Sequence, residues 1–397
     1  MSDPPFVVDL HAHFPMHVDP EQAFRKGLRH SKRRPEKLWD RFTFWGLQLV
    51  DRVVNREHCG DGHAVTVATL SEGNVGVALS VAYCPFVELD GLPGAAPRDD
   101  HFHYVHDLLE KVERKVRKDP RATVVRDFAQ LTAARSAGKV ALIHAIEGGF
   151  HLGGTDEAIA ENVATLAKMG LGYVTVAHLF LREVSTNAPA LPFLPDDVYR
   201  RFFPQPDSIG LFERGKTLIR AMVKHGVLVD ITHMSERGME DTFALLDELD
   251  PGKTIPVLAT HIGCSLKTSP GDEGYAYNLS ETWVKRVAER KGVCGIMYCE
   301  HYLRDEHHPA TKSLQDSFAL IEEQIAKLRA WGGDDVLAIG SDLDGFIKPT
   351  LHGLSSARNH KDLSAWLVGK YGQPLAEKIC HGNALRVFES AWRKPFP

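Results

Sequence analysis

Histidine and acidic residues follow several of the short apolar runs in this 397-residue sequence. The first run, FVVDL at residues 6–10, leads into His11 and His13, which are separated by a single alanine. Residues two apart on a β-strand project from the same face, so both imidazoles are expected to point the same way. Two converging imidazoles supply half of a typical zinc site, although an H-x-H pair is weak evidence by itself. The pattern therefore indicates His11 and His13 as candidate metal ligands.

The same pattern recurs at later apolar runs. The run at 140–146 is followed by Glu147 and two glycines, which allow close approach to a carboxylate that could bridge two metals. A histidine taken singly is more often a partly buried hydrogen-bond partner than a ligand. Recurrence at six run ends favours one shared metal site over six coincidences. The remaining candidates at the ends of apolar runs are His178, His233, His261 and Asp342.

A second histidine cluster lies outside this pattern. His101, His103 and His106 stand at the start of the helical pattern at 104–118. No apolar run places another imidazole or carboxylate beside them, so we interpret this cluster as surface rather than as a metal site.

The runs that carry the candidate ligands are typical of buried parallel strands. They are rich in Val, Ile and Leu, and they alternate with helical patterns at 156–169, 235–249 and 313–331. Eight strands with interleaved helices predict a closed (β/α)8 barrel of the α/β class, whose functional site lies at the carboxyl ends of the strands. The predicted strands lie near 6–10, 75–83, 140–146, 171–177, 226–232, 255–260, 292–299 and 335–341.

A single barrel domain over residues 1–397 is expected, because α/β barrels commonly exceed the usual domain length. Two segments extend beyond the repeating units. One is a helical excursion near 36–58, and the other is a proline-rich loop near 182–212, which is expected to form a wall or lid over the site. The glycine-rich phosphate-binding motifs of nucleotide-binding proteins are absent.

Bulk composition excludes several classes of partner. The formal net charge is −5 with charges of both signs interspersed, so neither nucleic acid nor an anionic membrane is expected as a partner. The N-terminus shows no signal-peptide pattern, and no apolar stretch is long enough to cross a bilayer. The six cysteines contain no C-x-x-C pair and are expected to be reduced thiols, so a cytoplasmic location is predicted.

Longer stretches of the sequence resemble the renal, or membrane, dipeptidase family of metallopeptidases, within the amidohydrolase superfamily. The resemblance runs through nearly the whole chain in the family's order. It implies an enzyme that hydrolyses the amide bond of dipeptides, often with a D-residue at the C-terminal position. The matching stretches are DLHAHFP at 9–15, AIEGG at 145–149, VTVAH at 174–178, GLFERGKTLIRAMVKHGVLVDITHMS at 210–235, PVLATH at 256–261, IGSDLDG at 339–345 and GNALRVFE at 382–389.

The resemblance also implies a cofactor, two divalent metal ions, for which zinc is the expected element. His11 and His13 would bind one ion. His233 and His261 would bind the other. Glu147 would bridge the two ions, and Asp342 would lie beside them.

The implied reaction is metal-assisted amide hydrolysis of a small-molecule substrate. Two cations would share a water and lower its pKa, and the resulting hydroxide would attack the carbonyl carbon. Asp342 would take the proton of the water and pass it to the leaving amine, while His178 would bind the carbonyl oxygen. The other predicted substrate contacts are Tyr277 and Asn278. The resemblance is compatible with a homodimer.

Two positions differ from the family pattern. The family usually has aspartate where this chain has His13, and imidazole is also a good zinc ligand. The family usually has a carboxylate-binding arginine before an Asn-Leu pair, whereas here Tyr277 precedes Asn278. A tyrosine hydroxyl cannot offer a bidentate charged fork, although Lys267 or Arg182 could substitute.

Two alternative functions remain open at this point. Tyr277 favours a related hydrolase that acts on an N-acyl amino acid, a cyclic amide or a lactone. A protein of another class, a non-catalytic barrel that retains the fold or the metals for binding, is disfavoured by the complete set of ligands. Assays of dipeptides beside N-acyl amino acids would separate the first alternative from a dipeptidase.

Overall fold

The computed structural model describes residues 3–18, 63–89, 95–192, 194–265, 275–304, 309–345, 347 and 349–393. The predicted excursion at 36–58 and Lys267 lie outside these residues. The strands are β1 (Val7–Ala12), β2 (Val75–Ala82), β3 (Ala122–Val124), β4 (Val140–Glu147), β5 (Leu171–Thr175), β6 (Leu228–Asp230), β7 (Val257–Ile262), β8 (Val293–Ile296) and β9 (Leu337–Ile339).

Eight parallel strands close into a barrel, which confirms the predicted fold class. Neighbouring strands pair in the order β1, β2, β4, β5, β6, β7, β8 and β9. Pairing of Asp9 with Ile339 then joins β9 back to β1. The observed strands match the predicted runs, but several are shorter, because their outer residues leave the ladder at the barrel rim.

β3 is an addition that the sequence pattern does not predict. It pairs with the first residues of β4, on the edge that β5 occupies further along. Three residues are too few to show a periodic pattern. Because β3 stands outside the closed ring, it leaves the predicted eight-stranded barrel unchanged.

Helices connect the strands and pack around the barrel. The predicted helices at 156–169, 235–249 and 313–331 are confirmed, and Ser235 caps the second of them by accepting a hydrogen bond from the Gly238 backbone N–H at 2.9 Å. The α-helices are α1 (Val67–Glu72), α2 (Pro85–Leu89), α3 (His101–Val116), α4 (Phe128–Ser136), α5 (Asp156–Lys168), α6 (Asp196–Phe202), α7 (Glu213–His225), α8 (Glu236–Leu249), α9 (Glu281–Glu289), α10 (Glu300–Leu303), α11 (Leu314–Gly332), α12 (His360–Tyr371), α13 (Gln373–Glu377) and α14 (Asn383–Arg393).

The barrel interior is apolar over the first part of the strands. Its buried cluster includes Leu79 and Ile143, and α14 contributes Val387 and Phe388 to it. Polar side chains enter the interior only further along the strands, where Asp230 ends β6. The interior is therefore apolar near the start of the strands and polar near their carboxyl ends, where the candidate site lies.

The described cysteines and helices offer neither a reactive thiol nor a membrane span. Burial raises the pKa of Cys84 and of Cys264 to about 12, so both thiols stay protonated at neutral pH. None of the helices in the described part of the chain is long and apolar enough to cross a membrane. The described cysteines are all free and buried, and they are Cys84, Cys264, Cys294, Cys299 and Cys380.

Candidate metal centre and substrate cleft

The predicted ligands stand at the carboxyl ends of five barrel strands. Because all strands run parallel, their carboxyl ends open onto one rim, where residues from both ends of the chain meet. The predicted ligands and their places are His11 in β1, His13 directly after β1, Glu147 at the end of β4, His233 after β6, His261 in β7 and Asp342 after β9.

The carboxylate of Glu147 forms the centre of the cluster. Burial raises the pKa of this carboxyl, but the imidazoles of His178 and His11 lower it well below its usual range, so it is ionised. Imidazole Nε2 atoms surround it. Oε1 lies 3.3 Å from His11, 3.4 Å from His233 and 3.4 Å from His261, and Oε2 lies 3.5 Å from His13 and 3.2 Å from His178.

A buried hydroxyl fixes the protonated nitrogen of two of these rings. Thr260 Oγ1 donates to Asp230 Oδ2 at 2.7 Å, so towards the imidazoles it can only accept. It lies 2.9 Å from Nδ1 of His261 and 3.1 Å from Nδ1 of His11. The hydroxyl of Tyr173 donates to the Leu10 carbonyl and also lies 2.8 Å from Nδ1 of His11. Both rings therefore carry their proton on Nδ1 and present an Nε2 lone pair towards Glu147.

Replacing Thr260 by valine is expected to weaken metal binding by about 10- to 100-fold, the usual cost of losing a group that orients a metal-binding histidine. Valine matches the shape of threonine but cannot accept the two Nδ1–H groups. Metal retained after dialysis against graded chelator concentrations would measure the change. Thr260→Ser keeps the hydroxyl and is the control. Equal metal retention by the valine and serine variants would contradict the role of this hydroxyl.

The clustered acceptor atoms fit a divalent cation. Among the described residues, His11 Nε2 and Glu147 Oε1 are buried without a hydrogen-bond partner, although they lie only 3.3 Å apart. Nε2 of His261 likewise faces Nε2 of His233 at 3.0 Å. Burial lowers the pKa of both of these histidines, so their rings are neutral, the form that binds metal. Imidazole nitrogens with a carboxylate are a donor set that suits zinc.

Asp342 is held at the edge of the cluster by an unusual backbone. Its φ of 58° lies in the left-handed region, and its N–H donates to the His11 carbonyl at 2.8 Å. A Cβ at Gly345 would collide with the Asp342 carboxylate, so the loop needs glycine there. Oδ1 of Asp342 lies 3.1 Å from Nε2 of His13, and its side chain is 11% exposed against 3% for Glu147. The carboxylate is therefore the acidic group most open to the cleft.

A cleft opens directly above the cluster. It is open in part to solvent, and about 350 Å³ of space lies between its walls when that open part is included. Polar groups of the metal cluster form its floor, and none of its described lining residues is lysine or arginine. The floor is formed by His13, Glu147, His178, His233 and Asp342. The walls are formed by Leu179, Ala190, Tyr277, Met297, Tyr302 and Ile347.

The proline-rich loop at 182–212 supplies part of this wall through Ala190. The loop is anchored next to a predicted ligand, because the Ala188 N–H donates to the His233 carbonyl at 2.8 Å. His233 has a left-handed φ of 68°, a conformation that costs free energy for a residue other than glycine. The anchored loop therefore helps to hold the backbone of His233 in place.

The hydroxyl of Tyr277 is already engaged. It donates to the backbone carbonyl of His261 at 2.6 Å, and the Tyr277 ring centroid lies 5.0 Å from that of His233. Its single proton is therefore used within the protein, and the residue presents its ring rather than a free donor to the cleft.

Two other side chains that were predicted to contact the substrate also donate to groups of the protein. Asn278 donates through Nδ2 to the carbonyls of Cys264 at 3.2 Å and Tyr302 at 2.7 Å, and it is not among the described residues that line the cleft. The buried guanidinium of Arg182 donates through Nη1 to the Val87 carbonyl at 2.7 Å. In this arrangement both side chains support the loops around the cleft.

The residues that orient the candidate ligands were not identified from the sequence. Asp230 and Thr260 could have been predicted, since side-chain alternation along β6 and β7 places them in the barrel interior just before His233 and His261. No sequence pattern indicates Glu88, because it lies in α2, a helix of only five residues after β2. It nevertheless accepts a hydrogen bond from His178 Nδ1 at 2.8 Å.

The second histidine cluster lies on α3. His101 is buried and its Nδ1 accepts from the Arg98 backbone N–H at 3.3 Å, so the interpretation as surface is wrong for this residue. His106 stands near Asp107 and Glu110 on the exposed side of the helix. An exposed acidic group of this kind is common without a metal ion.

Comparison with known proteins finds relatives in one family of metallopeptidases. The sequence profile of the membrane dipeptidase family, peptidase family M19, matches residues 7–394. Dipeptidase tcpJ of Claviceps purpurea is 24% identical over 356 residues, which cover 87% of this chain and 73% of that protein. A dipeptidase of Schizosaccharomyces pombe is 25% identical over 299 residues, which cover 73% of this chain and 62% of that protein.

Two solved structures share the fold. The metallopeptidase dipeptidase AC superposes with a TM-score of 0.71 at 19% identity, covering 99% of this chain and 100% of that one. A metallopeptidase from Rhodobacter sphaeroides, liganded with a phosphinate mimic of the dipeptide L-Ala-D-Ala, superposes with a TM-score of 0.69 at 19% identity, covering 98% and 100%.

The family match extends over nearly the whole chain, from the start of β1 to the last residues of α14. It agrees with the closed barrel and with the histidine and carboxylate cluster at its carboxyl rim. The chain belongs to the membrane dipeptidase family, peptidase family M19, and is a metal-dependent hydrolase of the dipeptidase type.

Proposed function

We propose that this protein is a zinc dipeptidase that cleaves small dipeptides, including those with a C-terminal D-residue. The observation that carries the proposal is the set of five imidazole Nε2 atoms within 3.5 Å of the Glu147 carboxylate, on the floor of a cleft that is open in part to solvent. The L-Ala-D-Ala mimic bound by the Rhodobacter sphaeroides metallopeptidase supports the stereochemical part.

In this proposal two ions share the cluster. His11 and His13 would hold one, His233 and His261 would hold the other, and Glu147 would lie between them as a shared ligand. Each pair offers two imidazole nitrogens, and the Glu147 carboxylate between the pairs offers two oxygens. Bound there, the cations would polarise the scissile carbonyl and lower the pKa of the attacking water.

Asp342 carries the proton in the proposed reaction. Its carboxylate accepts the proton released as the water oxygen adds to the carbonyl carbon. The same group then donates that proton to the amide nitrogen as the C–N bond breaks. Its place at the edge of the cluster, 3.1 Å from His13 and lining the cleft, supports this role.

His178 binds the carbonyl oxygen of the substrate in the proposed reaction. It follows β5 and lines the cleft, with Nε2 directed at Glu147 and Nδ1 at Glu88. A donor held towards the oxygen on which negative charge develops stabilises the transition state more than the ground state.

A second candidate function keeps the reaction and changes the substrate. The Tyr277 hydroxyl donates its hydrogen bond to the His261 carbonyl. The described walls of the cleft contain no lysine or arginine that could bind a carboxylate. Both observations favour a substrate such as an N-acyl amino acid, a cyclic amide or a lactone, for which a carboxylate fork is not the main contact.

One experiment tests both candidates. Elemental analysis of the purified protein is combined with assays of L-Xaa-D-Xaa and L-Xaa-L-Xaa dipeptides, N-acyl amino acids and lactones on the same sample. Two equivalents of zinc with dipeptide turnover are expected. Two equivalents of zinc with turnover of N-acyl amino acids or lactones, and none of dipeptides, would contradict the dipeptidase and support the second candidate function. Failure to bind metal after reconstitution would contradict the proposed centre.

Replacing Tyr277 by phenylalanine is expected to change the KM for a dipeptide by less than about twofold, well under 1 kcal/mol, because the lost hydroxyl contacts the protein rather than the substrate. A hydroxyl that bound a carboxylate would contribute about 1.5–3 kcal/mol, so its loss would raise KM roughly tenfold or more. Tyr199→Phe removes another buried hydroxyl that donates to a backbone carbonyl, that of Leu179, and is the control for stability.

Domain organisation and assembly belong to the same proposal. We propose that residues 1–397 form one domain, which is supported by the pairing of β1 with β9 and by the packing of α14 into the barrel interior. A homodimer is the proposed assembly, on the family resemblance alone. Light scattering at micromolar concentration tests it, and a monomeric mass would contradict it.

A further inference from the structure

Glu88 is a buried carboxylate beside the cleft that the proposed reaction does not use. Its side chain is fully buried in α2 and accepts three hydrogen bonds. The donors are the Tyr83 hydroxyl at 2.7 Å, the Phe180 backbone N–H at 2.9 Å and His178 Nδ1 at 2.8 Å. Burial raises the pKa of Glu88, but the His178 charge and these hydrogen bonds lower it below its usual value. The group is therefore an ionised acceptor.

The contact with Glu88 determines how the His178 ring is used. A carboxylate can only accept, so Nδ1 of His178 donates to Glu88, and Nε2, which faces both the Glu147 carboxylate and the cleft, carries a proton as well. Nε2 lies 3.2 Å from Glu147 Oε2. The ring also packs edge-on against Tyr83 and His233, with centroid separations of 4.4 and 4.6 Å. Rotation about either χ angle would break the bond to Glu88.

The backbone of Glu88 is itself held in place by the guanidinium of Arg182. Arg182 donates to the backbone carbonyls of Val87 and Glu88 at the end of α2, and to the Ala95 carbonyl at 3.0 Å. Its guanidinium also lies over the Phe150 ring, 5.4 Å from the centroid. Arg182 thus fixes the short helix that carries Glu88, so the chain of contacts runs from Arg182 through Glu88 to His178.

We propose that Glu88 is a positioning residue for amide hydrolysis, which holds the Nδ1–H of His178 so that Nε2 is directed at the substrate carbonyl oxygen. The inference rests on the proposed role of His178. A carboxylate that only stabilised the fold would act on stability and not through this imidazole. The two roles differ in whether the effect of changing Glu88 depends on His178.

A double-mutant cycle separates these roles. Glu88→Gln should lower kcat by about 10- to 100-fold, the range found when a carboxylate that orients a histidine is lost. KM and metal content should stay near those of the wild type. In a His178→Ala background the same change should leave kcat within about twofold, since the group through which Glu88 acts is gone. Equal fold losses in both backgrounds, or no loss in either, would overturn the inference.

A matched control is Asp250→Asn, another buried carboxylate, which pairs with Arg290 at 3.1 Å far from the cleft. It should lower Tm without changing kcat. A kcat loss in Asp250→Asn as large as in Glu88→Gln would assign both to general destabilisation.

A spectroscopic measurement keeps the inference testable without turnover. In ¹⁵N-histidine-labelled protein the Nδ1–H proton of His178, identified by its loss in His178→Ala, should resonate far downfield and move upfield in Glu88→Gln. An Nδ1 without a proton, or a resonance unchanged in Glu88→Gln, would overturn the inference. The expected resonance in a protein that hydrolyses no dipeptide would instead place the failure with the proposed substrate.

Discussion

Replacing His233 by alanine is expected to lower the metal content of the proposed two-zinc centre from two equivalents to about one and to reduce kcat/KM by more than the roughly 10²–10³-fold that loss of one oxyanion donor costs. The imidazole is one of the nitrogens grouped around Glu147, and its Nε2 lies 3.4 Å from that carboxylate. Removing it leaves one ion with too few protein ligands, since a catalytic zinc commonly needs three. Elemental analysis and steady-state kinetics on the same preparation measure both effects.

The backbone at His233 calls for a second variant. Alanine in the left-handed region costs roughly 1–2 kcal/mol, whereas asparagine tolerates that conformation. His233→Asn should therefore fold with less strain and still lose the metal. His144→Ala is the control, because His144 is a buried histidine of β4 that lies 3.5 Å from Glu113 and outside the cluster. Full activity with two zinc ions in either His233 variant would disprove the assignment.

Replacing Asp342 by asparagine is expected to leave both metals bound and to lower kcat by about 10²–10⁴-fold, the contribution of a positioned general acid–base group. Asparagine matches the shape of aspartate and tolerates its φ of 58°. It cannot take up a proton, so neither activation of the water nor protonation of the leaving amine is assisted. Metal content should match that of the wild type, and KM should change much less than kcat.

Asp344→Asn is the matched control for this prediction. Asp344 is two residues away, has a left-handed φ of 65° and accepts the backbone N–H groups of Ala64 at 3.1 Å and Val65 at 2.7 Å. Its amide variant should affect stability and leave kcat near that of the wild type. Wild-type kcat in a fully metallated Asp342→Asn protein would remove Asp342 from the mechanism, and metal loss in it would make Asp342 a ligand instead.

The sequence by itself was sufficient to predict the barrel and the rim at which the candidate site lies. Buried parallel strands are nearly continuous apolar runs, and a histidine or carboxylate directly after such a run lies at the functional rim whatever surrounds it. His11, Glu147 and His261 could therefore be placed on local grounds alone. β3 could not, because three residues carry no period.

Only the tertiary structure decided which polar groups touch each other. Thr260 hydrogen-bonds His11, which is 249 positions away, and Glu88 hydrogen-bonds His178, which is 90 positions away. Tyr277 could be expected to face a substrate carboxylate until its hydroxyl was located on the His261 carbonyl. Hydrogen bonds act over about 3 Å and depend on angle, so their partners follow from how strands and loops pack and not from spacing along the chain. Local patterns thus determined where the candidate ligands lie, and packing decided which atoms orient them.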